Sequence, residues 1–134
     1  MSDSLVAEQL VPADPTQVHA AFTSADALAR WWWPHLPDTT YAVDGQTGGA
    51  YEIRSAAAGI GVRGNFVAPD PPTSIRMTWI WLDDDREVEP EDVAIDFEPV
   101  AGGTLVRVTH ECVANADDLR QGWVDVLARL ARAL

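Results

Sequence analysis

The sequence contains no lysine and only one cysteine, Cys112. A single thiol excludes an internal disulfide, and the absence of disulfides is typical of cytoplasmic proteins. No apolar run reaches the roughly 20 residues that a membrane-spanning helix needs. Residues 1–8 lack both the basic segment and the apolar core of a secretory signal. We therefore expect a cytoplasmic protein that does not span a membrane.

Positive charge is scarce as well: nine basic residues stand against 21 acidic ones, and the formal net charge is −12. Nucleic-acid binding requires clustered basic groups that neutralise phosphates, so this class of partner is excluded. The acidic stretch 83–92 lacks the ligand spacing of a calcium loop, and we interpret it as a solvated hairpin. The sequence also lacks a ligand cluster with metal spacing and a phosphate-binding glycine loop. We expect no metal and no cofactor.

The chain of 134 residues is 47% hydrophobic, which suits a single domain over residues 1–134 with one buried core. Local patterns predict a strand, two short helices, six further strands and a long terminal helix. Asp14 before Pro15, and later Ser24, are helix N-cap signals. The helices are predicted over 15–23, 25–32 and 117–134, and the strands over 5–11, 40–43, 50–54, 60–67, 74–82, 93–98 and 104–112.

Two of the predicted strands carry large apolar side chains on one face. That face holds Ile75, Met77, Trp79 and Trp81 on the strand 74–82, and Val106, Val108, His110 and Cys112 on the strand 104–112. Antiparallel strands with one apolar face must bury it, and the terminal helix is the only large partner. Gly61 and Gly64 predict a bend that curves the sheet. A curved sheet around a helix is predicted to enclose a pocket lined by aromatic groups.

Several sequence motifs occur in the order seen in a known family. Residues 11–23, which begin Val-Pro-Ala-Asp-Pro, resemble the opening of START-like (SRPBCC) domains. Further motifs resemble the branch of these domains that is named after the activator of heat-shock protein 90 ATPase. They are residues 29–34, 48–51, 61–66, 71–72, 78–81, 97–99, 102–104, 109–111 and 122–123. The resemblance implies an α+β helix-grip fold of the birch-pollen-allergen type. Such a fold wraps a curved antiparallel sheet of about six to seven strands around a long C-terminal helix, with two short helices after the first strand.

The candidate ligand-binding residues are large side chains predicted to face the hollow between the sheet and the terminal helix. They are Trp32, Tyr51, Met77, Trp79, Trp81, His110 and Trp123. Each has a structural alternative, because aromatic residues often fill such an interface and a buried histidine is often a satisfied structural group. Of Trp31, Trp32 and Trp33, we expect one to anchor its helix, one to lie at the pocket mouth and one to be partly exposed. His35 is isolated in a predicted loop.

Three functions stay open at this point. The first is binding of a small hydrophobic or amphipathic ligand in an internal cavity, without chemistry. The second is an enzyme similar to the START-like aromatases and cyclases, in which His110 acts as general acid or base with help from Tyr51. The third is an interaction protein that binds a chaperone, as the resemblance implies, through the run 31–33 and the acidic loop. A homodimer through an exposed strand or the tryptophan patch is a further possibility.

Overall fold

The computed structural model describes residues 3–36, 38–68, 73–83, 86–87, 90–112 and 116–134. Its elements follow the predicted order, with one additional two-residue strand. They are β1 (Asp3–Val11), α1 (Pro15–Ala20), α2 (Ala25–Leu28), β2 (Thr39–Val43), β3 (Ala50–Ser55), β4 (Ile60–Ala68), β5 (Ser74–Asp83), β6 (Arg86–Glu87), β7 (Glu91–Val100), β8 (Gly103–Cys112) and α3 (Ala116–Ala133). Parts of the predicted acidic hairpin, 84–85 and 88–89, and the motif at 71–72 lie outside the described residues.

The strands form one curved antiparallel sheet. Their order is β1-β8-β7-β5-β4-β3-β2, and β6 pairs with the end of β5. The helix α3 contacts β1 and buries one face, which consists of Trp123, Val126, Leu127 and Leu130. The predicted α+β helix-grip fold is therefore confirmed. Within the part of the chain that the structure describes, no helix combines the length and the apolar character needed to cross a membrane.

The predicted inward faces of two central strands are confirmed. On β5, Ile75, Met77 and Trp79 are buried, whereas Arg76 between them is exposed. On β8, the inward residues Val106, Val108, His110 and Cys112 are fully buried. Side chains alternate across a strand with a period of two, so one correctly placed apolar residue fixes the orientation of its neighbours at even spacing. These two strands form the floor of the region under α3.

The close approach of β4 to β5 depends on Gly64. A Cβ atom at this position would lie 2.2 Å from the carbonyl oxygen of Thr78, a separation that no side chain can adopt. The pairing register of the two strands shifts between Phe66 and Ala68, as in a β-bulge. Tyr51 is the β3 partner of Gly64, and its hydroxyl donates a hydrogen bond to the same Thr78 carbonyl. The hydroxyl thus ties β3 to β5 where glycine leaves room.

The N-terminal ends of α1 and α2 are capped as predicted. Asp14 accepts from the backbone N–H of Gln17, and the Gln17 side chain accepts from the backbone N–H of Asp14, which is a capping box. Ser24 accepts from the backbone N–H of Ala27. The predicted extension of the second helix to residue 32 is wrong, because α2 ends at Leu28 and the chain continues in turns.

The surface of α3 contains one glycine, Gly122. The residue before Trp123 suggests a close approach of the helix to the sheet, but Gly122 is exposed, and a Cβ atom there would meet nothing within 4 Å. The adjacent Trp123 makes the contact with the sheet instead. Gly122 therefore lowers the helix propensity of α3 without a packing role in the described residues.

Candidate functional site

All six tryptophans join one continuous set of ring contacts, which we call the tryptophan network. It consists of Trp31, Trp32, Trp33, Trp79, Trp81 and Trp123. Trp32 lies at its centre, with ring centroids 5.4 to 6.1 Å from those of Trp31, Trp33, Trp79 and Trp123. Trp79 also contacts Trp81 at 6.4 Å and Trp123 at 5.2 Å. The network joins the segment after α2 to β5 and α3.

The network has a buried interior and a partly exposed rim. Trp31, Trp32, Trp79 and Trp123 are buried, whereas Trp33 and Trp81 are only half-buried. The rim residues Trp33 and Trp81 meet edge to face, with centroids 5.9 Å apart. Trp31 is the anchor of its segment, since its indole N–H donates to the carbonyl oxygen of Ala21 at 3.1 Å. One member of the run therefore reaches the surface while the other two are enclosed.

The backbone of Trp33 is strained. Its φ angle is +52°, a left-handed conformation that bulky side chains rarely adopt, and Pro34 follows it. Such strain persists only where surrounding contacts hold the residue, and it is often found at ligand sites and switch regions. The Trp33 ring contacts the rings of Trp32 and Trp81.

A polar chain crosses the floor of the network at His110. The indole N–H of Trp123 donates to Nδ1 of His110 at 3.0 Å, so Nδ1 carries no proton. The imidazole proton therefore resides on Nε2, which donates to Oε1 of Glu91 at 2.8 Å. Burial lowers the pKa of His110 below its ordinary value, although the hydrogen bond and the charge of Glu91 act in the opposite direction. His110 is accordingly neutral near pH 7.

Both ring nitrogens of His110 are thus bonded to protein groups. A general acid or base must offer a ring nitrogen to the reacting molecule, and His110 is fully buried with neither nitrogen free. This geometry matches the structural alternative, in which His110 orients Trp123. The catalytic role of His110 stays a prediction that the arrangement does not favour.

Glu91 is the residue that the sequence interpretation missed. We placed it in the solvated acidic stretch, but it is the first residue of β7, and its side chain is only 9% exposed. It lies opposite Trp79 in the pairing of β5 with β7. The signal was present in the sequence, because Glu91 has the same parity as the inward residues Val93, Ile95 and Phe97.

Tyr51 and Met77 lie on the same buried surface but beside Phe66. The Tyr51 ring is 5.4 Å from that of Phe66, and Met77 is the β5 partner of Phe66. The Tyr51 hydroxyl donates to the Thr78 carbonyl, and burial raises its pKa well above the ordinary value, so it stays protonated. The structure thus brings Trp32, Trp79, Trp81, His110 and Trp123 together. Tyr51 and Met77 extend this surface along the sheet.

Two buried indoles lack a hydrogen-bond acceptor. The Nε1 atoms of Trp32 and Trp79 are enclosed and have no partner among the described residues, whereas those of Trp31 and Trp123 are bonded. A buried donor without an acceptor costs about 1–3 kcal/mol. The two unsatisfied groups belong to rings in contact, with centroids 6.0 Å apart. The centre of the network therefore contains two indole N–H donors that no described residue accepts.

The other polar candidates do not join this site. His35 is exposed in the turn after Pro34. Cys112 is buried on β8 two residues beyond His110, and the described residues contain no group of three or more His, Cys, Asp and Glu side chains arranged for a metal ion.

Residues 12–134 match a sequence family described as Activator of Hsp90 ATPase homolog 1-like protein. This chain belongs to that family. The resemblance drawn from the sequence motifs is thereby confirmed, because the family is a branch of the START-like superfamily. A comparison with curated proteins finds no match.

Solved structures share the fold of this Hsp90 ATPase activator homologue-like chain. Protein CV1439 from Chromobacterium violaceum has a TM-score of 0.77 at 22% identity, over 97% of this chain and 96% of the other. Protein MLL2253 from Mesorhizobium loti has 0.81 at 16%, over 98% and 96%. DynU16, a protein of the dynemicin biosynthetic locus, has 0.80 at 20%, over 97% of this chain and 46% of its own length. At these identities the similarity establishes the fold alone.

Proposed function

We propose that this protein binds a small hydrophobic or amphipathic molecule at the tryptophan network, between the sheet and α3, and does not transform it. The observation that carries the proposal is the continuity of the network. Ring-to-ring contacts run without interruption from the half-buried rim, Trp33 and Trp81, to the enclosed indoles of Trp32, Trp79 and Trp123. An apolar ligand would meet favourable contacts along this whole path.

The rim is the proposed entrance. Trp33 is the network member held in a strained backbone conformation, and movement of its ring would open the path to Trp32. A rim residue that packs on a bound apolar molecule contributes contact area and pairwise ring interactions, which is worth about two- to tenfold in affinity.

The test measures binding by equilibrium dialysis and native mass spectrometry against a panel that contains naphthalene, fluorene, fluorenone and dodecanol. We expect at least one aromatic member to bind, and Trp33→Ala to weaken that binding about two- to tenfold. Val67→Ala is the matched control, because Val67 is 57% exposed on β4 and faces away from the buried side that holds Phe66. If the whole panel fails to bind, or if Trp33→Ala and Val67→Ala behave alike, the proposal is wrong.

The same samples examine the enzyme alternative. Turnover of a bound molecule, detected by mass spectrometry of the extracted ligand and abolished by His110→Asn, would support a cyclase-like activity instead.

Family membership favours a second candidate, stimulation of an Hsp90-type ATPase. A chaperone partner would contact exposed apolar surface, and the half-buried Trp33 and Trp81 provide it. The assay is the ATPase rate of an Hsp90 homologue with and without this protein. An unchanged rate at saturating concentrations would eliminate this candidate.

A further inference from the structure

We infer that the molecule bound at the tryptophan network carries an uncharged carbonyl oxygen, which accepts hydrogen bonds from the indole N–H groups of Trp32 and Trp79. This inference rests on the proposed function and goes beyond it, because it names the chemical class of the ligand, a planar aromatic ketone.

The two donors are exceptional within the network. Trp32 is 3% exposed and Trp79 is 4% exposed, so neither N–H group can be satisfied by bulk solvent. The enclosed Trp31 and Trp123 both have acceptors, the carbonyl of Ala21 and Nδ1 of His110. The two other buried indoles of the network therefore have hydrogen-bond acceptors, whereas the adjacent pair at its centre has none among the described residues.

The neighbouring polar groups are already engaged. His110 uses Nδ1 for Trp123 and Nε2 for Glu91, and Tyr51 directs its hydroxyl to the Thr78 carbonyl. The faces of the surrounding rings accept N–H groups only weakly. The described residues supply no acceptor for either N–H group, and we assign that role to a bound molecule.

Charge selects a neutral acceptor. A carboxylate or phosphate would also accept from two N–H groups, but its transfer into an apolar aromatic enclosure carries a large desolvation cost. The net charge of −12 and the Glu91 carboxylate opposite Trp79 add repulsion to that cost. A carbonyl oxygen has two lone pairs, so a single neutral oxygen has the capacity to accept two N–H groups. A flat conjugated ketone also stacks on indole rings, so its shape suits the same surface.

The test compares fluorenone with fluorene, two planar molecules of nearly equal shape that differ in a carbonyl group against a methylene group. We expect the full-length protein to bind fluorenone about three- to tenfold more tightly than fluorene, the effect of one or two net hydrogen bonds. The double variant Trp32→Phe/Trp79→Phe keeps aromatic rings but removes both donors, and its preference should fall to about one. Trp31→Phe is the control and should keep the preference, because its N–H is already used by Ala21.

Proton–nitrogen correlation spectra supply a second measurement that does not need the double variant to fold. The indole resonances of Trp32 and Trp79, assigned from single Trp→Phe variants, should move downfield with fluorenone and not with fluorene. Equal affinities and equal spectral changes for the two molecules would overturn this inference and leave the proposed function intact. Failure of both molecules and of the rest of the panel to bind would overturn the proposed function as well.

Discussion

Acidification should destabilise this protein through His110. In the folded state Nδ1 accepts the Trp123 N–H and Nε2–H donates to Glu91, so a second proton must be added to Nδ1. That proton would face the Trp123 N–H across 3.0 Å, which turns a hydrogen bond into a contact between two donors. Burial adds a solvation penalty for the imidazolium. Both effects disfavour protonation in the folded state, and Glu91 offsets them only in part.

The sign and size of the effect follow from proton linkage. The pKa of His110 is lowered from 6.5 in the folded protein, so the unfolded chain binds more protons between that lowered value and 6.5. The contribution of neutral His110 to the free energy of unfolding is therefore fully present above pH 6.5 and is lost as the pH falls through this window. One proton limits the slope to about 1.4 kcal/mol per pH unit. Most carboxylates titrate below about pH 5, so the window above it reports mainly histidine.

The assay is urea unfolding at about pH 7.5, 6.5 and 5.5. The dependence of the unfolding free energy on urea concentration, the m value, should be the same at each pH if unfolding is two-state. His110→Asn retains an acceptor for Trp123 but does not titrate, so its stability should vary less across this range than that of the wild type. His35→Gln, a substitution of the exposed histidine in the turn after Pro34, is the control variant measured beside it. If the stability of His110→Asn changes with pH as much as that of the wild type, His110 is not the group responsible. The same conclusion follows if the wild type gains stability as the pH falls.

Three further predictions concern the fold. Gly122→Ala should raise the free energy of unfolding by about 0.5–1 kcal/mol, because the position is an open, exposed site inside α3; an unchanged or lower melting temperature would contradict this. Gly64→Ala makes the same substitution where the new methyl group would collide with the Thr78 carbonyl oxygen, so it should lower the free energy of unfolding by about 1–3 kcal/mol. An unchanged urea unfolding curve would refute the close approach of β4 and β5. Asp14→Ala removes the capping box of α1 and should cost about 1 kcal/mol by the same assay, whereas Asp14→Asn should be nearly neutral. Equal losses for both Asp14 variants would argue against the cap.

Much of the fold could be predicted because its signals are local. The inward residues of β5 and β8 follow from a period of two, and the buried face of α3 follows from helical spacing. Asp14 and Ser24 act through hydrogen bonds to residues three positions away, so a short window contains the whole interaction.

The site was less predictable because its decisive contacts are distant in sequence. The helix α2 ends at Leu28, and the Trp31 indole beyond it donates a hydrogen bond to Ala21, ten residues earlier in the chain. Helical periodicity does not reveal a hydrogen bond of this kind. The bond between His110 and Glu91 spans 19 residues and depends on the register of β7 against β8. Parity could have placed Glu91 inward, but only the register places it beside His110.

Contact among all six indoles also has an optical consequence. Neighbouring centroids in the network lie between 5.2 and 6.4 Å apart, close enough for electronic transitions to couple. Near-ultraviolet circular dichroism should therefore contain exciton bands of the group, and excitation absorbed by any ring will migrate to the one of lowest energy. Emission will report the surroundings of that ring, so replacement of a single tryptophan alters the spectrum of the whole assembly.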